Sequence, residues 1–267
     1  MTSDDLEAAA LGFVGTGTIT AALVTGLCSD PEQPYSICVS PRNAAVAARL
    51  AAQFDQVHVA ASNQEVIDSS DLVFLAVRPQ IAADILAVLK FSPRQRIISL
   101  IATFSQQKVA ALVGPVQSVT CAVPQPTVAA RLSPTAIFPP DTFAMGLFNR
   151  LGTAFAATSE SEFRSLFTTT AAMASYFSLL DTLAAWLVSH GVPTVTARDY
   201  VARMFYGLAD VPQRSTLAFG ELAMEFKTRG GLNEQLADEL VSKGVFGAFS
   251  TGLDAILTRI VKSENPG

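Results

Sequence analysis

Lysine is missing from the whole middle of this 267-residue chain, with none between Lys108 and Lys227, and histidine occurs only as His58 and His190. A chain so poor in proton carriers suits a reaction that asks for little general acid–base help. Cysteine is equally sparse. Cys28, Cys38 and Cys121 are odd in number, widely spaced and set among apolar neighbours, which indicates neither a disulfide framework nor a zinc site, and all three read as small core residues. Only 15% of residues are charged, the net charge is −5 and no basic run occurs. That excludes an electrostatic footprint for nucleic acid or an anionic membrane surface.

What the chain has in surplus is apolar surface, since 50% of its residues are hydrophobic. A core of this size does not need so much, and a large subunit interface would absorb the rest. The best window for a membrane span, Ala171 to His190, is broken by Asp181 and diluted by Ser175, Ser178 and Thr182, so it reads as a buried interface helix. The start carries Asp4, Asp5 and Glu7 where a signal peptide would be basic, and a cytoplasmic protein is expected.

Short Val-, Ile- and Phe-rich runs alternate with Ala-rich stretches of helical spacing as far as Thr158. Strands are expected at 11–14, 36–39, 57–60, 72–76, 96–101, 118–122, 135–138 and 153–157, with helices at 18–28, 43–53, 63–68, 79–90 and 105–113, the last capped by Ser105. This is the α/β pattern of a doubly wound parallel sheet, a Rossmann domain over residues 1–158. Beyond it, 160–190, 196–208, 212–228 and 233–261 all carry helical spacing, punctuated by Gly191 and Pro193 and by Gly230-Gly231, so residues 159–267 read as an all-helical domain.

The first strand runs into Gly15-Thr16-Gly17-Thr18-Ile19-Thr20 and then a helix. Gly15 permits the tight turn, Gly17 lets backbone approach a pyrophosphate, and the N–H groups at Thr18 and Ile19 face its charge. Thr20 stands where the dinucleotide fingerprint prefers Gly or Ala. The second strand ends in Val39-Ser40-Pro41-Arg42-Asn43, without the carboxylate that would hold a ribose 2′-hydroxyl, and Ser40 with Arg42 suits a 2′-phosphate. NADP(H) is the expected cofactor.

These segments, with Ser62-Asn63-Gln64-Glu65 and Phe74-Leu75-Ala76-Val77-Arg78-Pro79-Gln80, resemble the Δ1-pyrroline-5-carboxylate reductase family. The likeness extends through Ile98-Ser99-Leu100-Ile101-Ala102, Val123-Pro124-Gln125-Pro126, His190-Gly191-Val192-Pro193 and Arg198-Asp199. It implies that Asn63 lies near the adenylate ribose phosphate and that Ala76, Val77, Arg78 and Pro79 flank the nicotinamide ribose. A homodimer formed through the helical domain is implied too.

The family's substrate loop reads Ser-Pro-Gly-Gly-Thr-Thr, whereas this chain has Thr228-Arg229-Gly230-Gly231-Leu232-Asn233. The family's Gly-Ser-Gly-Pro segment is replaced by Ala171-Ala172-Met173-Ala174. By resemblance Asn233 and Thr228 take the catalytic, substrate-orienting places, and Arg229, Gly230 and Gly231 the substrate-binding ones. His190 reads as a helix C-cap and Lys227 as a solvated helix-end residue. The expected function is reduction of a small cyclic imine, pyrroline-5-carboxylate or a relative. Two alternatives stay open: a non-catalytic NADPH-binding dimer, and a β-hydroxyacid-dehydrogenase-like enzyme, against which the lysine gap counts because that class takes a hydroxyl proton with a lysine of its helical domain.

Overall fold

Leu11 and Phe13 point to one face of a sheet while Gly12 and Val14 point to the other, and this two-residue period sorts the neighbouring strands in the same way. The computed structural model describes residues 9–30 and 35–264, so the acidic start with Asp4, Asp5 and Glu7 lies outside the described residues. Among these, eight strands form one sheet: β1 (Ala10–Val14), β2 (Ser36–Val39), β3 (Val57–Val59), β4 (Leu72–Leu75), β5 (Arg96–Ser99), β6 (Ser118–Val123), β7 (Ser133–Phe138) and β8 (Gly152–Ala156). Their order is β3-β2-β1-β4-β5-β6-β7-β8.

Helices α1 (Thr18–Cys28) and α2 (Ala44–Gln53) cover one face, where Leu23, Leu27 and Leu50 are fully buried with Phe13 and Phe74. Those two rings stack 4.4 Å apart across paired positions of β1 and β4. Helices α3 (Asn63–Asp68), α4 (Pro79–Ala87) and α5 (Gln106–Val113) cover the other face through Val66, Ile67, Leu86 and Val109. The chain builds outward from β1 in one direction, then returns to its other side as β4, and the crossovers therefore place their helices on opposite faces.

The sheet is not wholly parallel. β7 runs antiparallel to β6, and β8 pairs parallel to β7. The link from β6 to β7 is short, holding only a 3-10 turn at Pro126–Ala130, and a short link can only turn the chain back. A helix unassigned in the sequence analysis, α6 (Thr142–Arg150), makes the crossover to β8, with Asp141 accepting from the Ala144 N–H at 2.8 Å as its N-cap. The outer edge of β8 is blunted by a side chain, Asn149 accepting from the Ala154 N–H at 2.8 Å, and past the strand's end Glu162 accepts from the Thr158 N–H at 2.7 Å.

The chain forms two compact units, one of residues up to Phe167 together with Arg259 onward, the other Thr168 to Thr258. The boundary falls later than the change of pattern at Thr158, because α7 (Glu160–Thr169) packs Phe163 against Phe138 beside Cys121 and Ala136. The expected helix 160–190 is interrupted after Thr169, and α8 (Ala172–Ser189) begins anew. The second unit continues with α9 (Thr194–Asp210), a 3-10 turn at Val211–Gln213, α10 (Phe219–Glu225), α11 (Leu232–Ser242) and most of α12 (Val245–Glu264), the last two separated at Gly244.

Within one copy of the chain α8 buries none of its residues, so the expected interface helix is an exposed one here. Phe177 is 65% exposed, Trp186 58% and, on α9, Tyr206 81%. The stretch Glu160–Ser189 meets the length and composition of a membrane span, with mean hydropathy 1.4, although Asp181 sits within it.

Candidate functional site

Val14 pairs with Leu75 and Phe13 with Val39, so Gly15, Ser40 and Ala76 emerge side by side beyond the carboxyl ends of β1, β2 and β4. The strand order reverses at β1, and a crevice at such a point is where doubly wound sheets receive nucleotides. Gly15 has φ +105°, and a Cβ there would stand 2.5 Å from the Ala76 carbonyl oxygen; only glycine fits the turn. At Gly17 an added Cβ would meet nothing within 4 Å. Gly17 is the N-cap of α1, with no side-chain cap bond and no acidic residue in the first turn. The first intrahelical bond runs from the Ala21 N–H to the Gly17 carbonyl, which leaves the N–H groups of Thr18 and Ile19, an exposed and a half-buried residue, without a partner inside the helix, beside the open space at Gly17. A phosphate group fits that cradle.

Thr20, the departure from the fingerprint, is fully buried and its hydroxyl donates to the Gly15 carbonyl at 2.7 Å. The extra polar group thereby closes the loop rather than disturbing the helix–strand packing. Ser40 also departs from expectation. It is fully buried, and its Oγ accepts from the Gly15 N–H at 2.9 Å, so it braces the Gly-rich loop from below and is not presented to a 2′-phosphate. Thr16, which the sequence analysis did not single out, is 3% exposed and donates to the Ser40 carbonyl at 2.6 Å.

Arg42 is exposed at the turn between β2 and α2, and among the described residues it has no acidic partner. No carboxylate stands at the end of β2. Asn63 opens α3 behind the N-cap Ser62, whose Oγ accepts from the Glu65 N–H at 3.1 Å. Ala76 and Val77 are half-buried where β4 ends; Arg78 is the exposed N-cap of α4, and Pro79 fills its first position, which needs no N–H. Gly15, Gly17, Thr18, Ile19, Arg42, Asn63 and Ala76 to Pro79 all belong to loops and helix starts that follow strands of one sheet unit.

The other predicted residues lie in the helical unit, Thr228 to Gly231 between α10 and α11 and Asn233 in the first turn of α11. The Gly230 N–H donates to Glu234 Oε2 at 2.6 Å and the Gly231 N–H to the Thr228 carbonyl at 2.7 Å. The N–H groups of both glycines, expected among the substrate-binding residues, are therefore engaged inside the loop. Asn233 Nδ2 donates to the Phe226 carbonyl at 3.1 Å, which uses one of its two N–H groups and leaves the other and the side-chain carbonyl oxygen for further bonds. Thr228 and Arg229 are exposed. Lys227 is not a solvated helix end: its side chain is 21% exposed, and Nζ pairs with Asp238 Oδ1 at 3.0 Å, tying α10 to α11. His190 follows α8 as its C-cap and stacks on Trp186 at 4.2 Å.

Two family models match the chain. One, described as NADP oxidoreductase coenzyme F420-dependent, covers residues 10–103; the other, pyrroline-5-carboxylate reductase dimerisation, covers residues 160–263. The dimerisation model of the pyrroline-5-carboxylate reductases thus matches the helical residues 160–263, the likeness expected from the sequence. Solved reductases share the fold at low identity. The 1-pyrroline-5-carboxylate reductase of Streptococcus pyogenes is 24% identical with a TM-score of 0.82, over 97% of this chain and 99% of that one. The Plasmodium falciparum pyrroline carboxylate reductase, solved with NADP bound, is 16% identical with a TM-score of 0.83 over the same shares, 97% and 99%. That of Coxiella burnetii is 20% identical, TM-score 0.80, over 96% and 99%. No curated protein matches the sequence.

Thr16 and Thr20 are the residues that the sequence alone did not assign to the site. Thr20 carried a readable signal, a hydroxyl at a position that tolerates only small side chains. Thr16 carried none, because its role depends on Ser40, a residue 24 positions away.

Proposed function

We propose that this protein is an NADPH-dependent reductase of a small cyclic imine, with pyrroline-5-carboxylate the leading substrate. The observation that carries the reading is the uncapped, open start of α1 at the strand-order reversal, with an exposed Arg42 that has no acidic partner among the described residues and no carboxylate at the end of β2. Thr18 and Ile19 would hold the pyrophosphate by their N–H groups, Arg42 the 2′-phosphate, Asn63 the adenylate ribose, and Ala76 to Pro79 the nicotinamide ribose. NADPH, when bound, supplies a hydride.

A cyclic imine carries a proton on nitrogen readily, and the resulting iminium carbon accepts hydride without a dedicated acid, in keeping with a chain that offers two histidines. In the helical unit, the side-chain carbonyl oxygen of Asn233 is suited to accept from an iminium N–H, Thr228 offers a hydroxyl, and Arg229 can pair with a substrate carboxylate. The exposed apolar faces of α8 and α9 would be covered by a second copy, giving a homodimer. A cytoplasmic location accords with this reading.

The deciding experiment follows NADPH oxidation at 340 nm with pyrroline-5-carboxylate and with five- and six-membered cyclic imines. Turnover is expected, and Asn233→Ala should lower kcat/KM by roughly tenfold or more. Unchanged kcat/KM in both Asn233→Ala and Thr228→Ala would remove the imine assignment; NADPH binding without turnover of any imine would favour a non-catalytic dimer.

A further inference from the structure

Ser40 engages every polar atom it has. Its N–H donates to the Phe13 carbonyl at 3.0 Å, its carbonyl accepts from the Thr16 hydroxyl at 2.6 Å, and its Oγ accepts from the Gly15 N–H at 2.9 Å while lying 3.1 Å from Thr16 Oγ1. The protons in this cluster follow by elimination. A carbonyl cannot donate, so the single proton of the Thr16 hydroxyl lies on the bond to Ser40 O. The contact between the two hydroxyls must then carry the proton of Ser40. A one-way chain results: Gly15 N–H to Ser40 Oγ, Ser40 O–H to Thr16 Oγ1, Thr16 O–H back to the Ser40 carbonyl. Ser40 is 0% and Thr16 3% exposed, and a closed chain at that depth polarises and stiffens itself.

This chain ties together two segments that face the same side of the sheet. Two residues beyond Gly15 stands Gly17, the N-cap of α1; two residues beyond Ser40 stands Arg42. We propose that Ser40 is a positioning residue that fixes the spacing between the start of α1 and Arg42, so that one ligand carrying both a pyrophosphate and a 2′-phosphate engages the two together. The proposal rests on the NADP(H) reading above. A rigid ligand that spans two binding arms senses their spacing, whereas a fragment that touches one arm does not.

The test is a calorimetric titration of the full-length protein and of Ser40→Ala and Thr16→Val with three probes: NADPH, ADP, which lacks the 2′-phosphate, and 2′-AMP, which lacks the pyrophosphate. NADPH should bind roughly tenfold or more weakly to either variant, with ADP and 2′-AMP each within about threefold of the unsubstituted protein. Thr16→Val keeps the shape of the side chain and breaks the same chain from its other member, so it gives the answer if Ser40→Ala does not fold. Equal weakening for all three probes, or unchanged NADPH binding, overturns the spacing role and leaves the cofactor assignment standing. Failure of the unsubstituted protein to bind NADPH overturns both.

Discussion

Arg42 and Ser40 lie two positions apart and divide the work that the sequence assigned to them jointly. Both residue types suit an anion, which is why the pattern Ser40-Pro41-Arg42 reads as a phosphate site, but burial separates them: Arg42 is exposed and Ser40 is not. Arg42→Ala should raise the KM for NADPH by roughly tenfold or more and leave that for NADH nearly unchanged, measured by initial rates with each nucleotide. Cys28 illustrates the reverse case, a residue whose environment the sequence did convey. Burial pushes its thiol up to about 11, so at pH 8 almost none is thiolate, and iodoacetamide should modify Cys28 far more slowly than a free thiol, as read by mass spectrometry over time. At Glu162 the hydroxyl and N–H of Thr158 hold the carboxyl below its ordinary range. The carboxylate therefore adds stability above the unfolded-state pKa, and that contribution is lost as pH falls through the lower folded value. Glu162→Gln should melt below the parent protein at neutral pH, with the gap closing once the carboxyl is protonated.

At the scale of elements, the strands and the helices on the two faces were legible because their period of two or of 3.6 residues is set by local burial. What escaped depends on distant partners. The reversal at β7 follows from how short the link through Pro126–Ala130 is, and the sheet direction cannot be read from the strand itself. The packing of Phe163 on Phe138, which ties α7 to the sheet unit, is a contact between residues 25 positions apart rather than a local signal. α6 does carry a local signal, Asp141 ahead of Phe143, Ala144, Leu147 and Phe148 at helical spacing. The 3-10 turn has a second role. A Cβ on Gly26 of α1 would stand 2.3 Å from the Val128 carbonyl, so α1 lies against that turn at a distance only glycine permits. Gly26→Ala should force the two apart and cost about 1–3 kcal/mol, seen as a lowered midpoint in urea unfolding. In the candidate site the Gly-rich loop was legible for the same local reason, while the inward role of Asn233 Nδ2 depends on the Phe226 carbonyl seven residues away.

The whole molecule carries its surplus apolar surface unevenly. In the sheet unit Phe13, Phe74 and Phe148 are fully buried, whereas in the helical unit Phe177, Tyr200, Tyr206 and Phe219 are each more than half exposed. A helix such as α8, with none of its 18 residues buried, gains little from packing within its own chain. The thermal midpoint should therefore rise with protein concentration, as it does when folding and association are linked. Replacing Phe177 and Tyr206 with Asp should give a monomer by analytical ultracentrifugation and remove that dependence. An unchanged sedimentation coefficient in the double variant would count against a dimer built on this face.

Trp186, the only tryptophan in the chain, stands on α8 more than half exposed and stacked on His190. Its emission reports on that one helix and on no other part of the protein. If a second copy covers α8, the indole passes from a wet to an apolar environment and its emission maximum moves to shorter wavelength. Diluting the unlabelled protein in a fluorimeter would then trace the two copies coming apart, with no substrate, cofactor or dye in the cuvette.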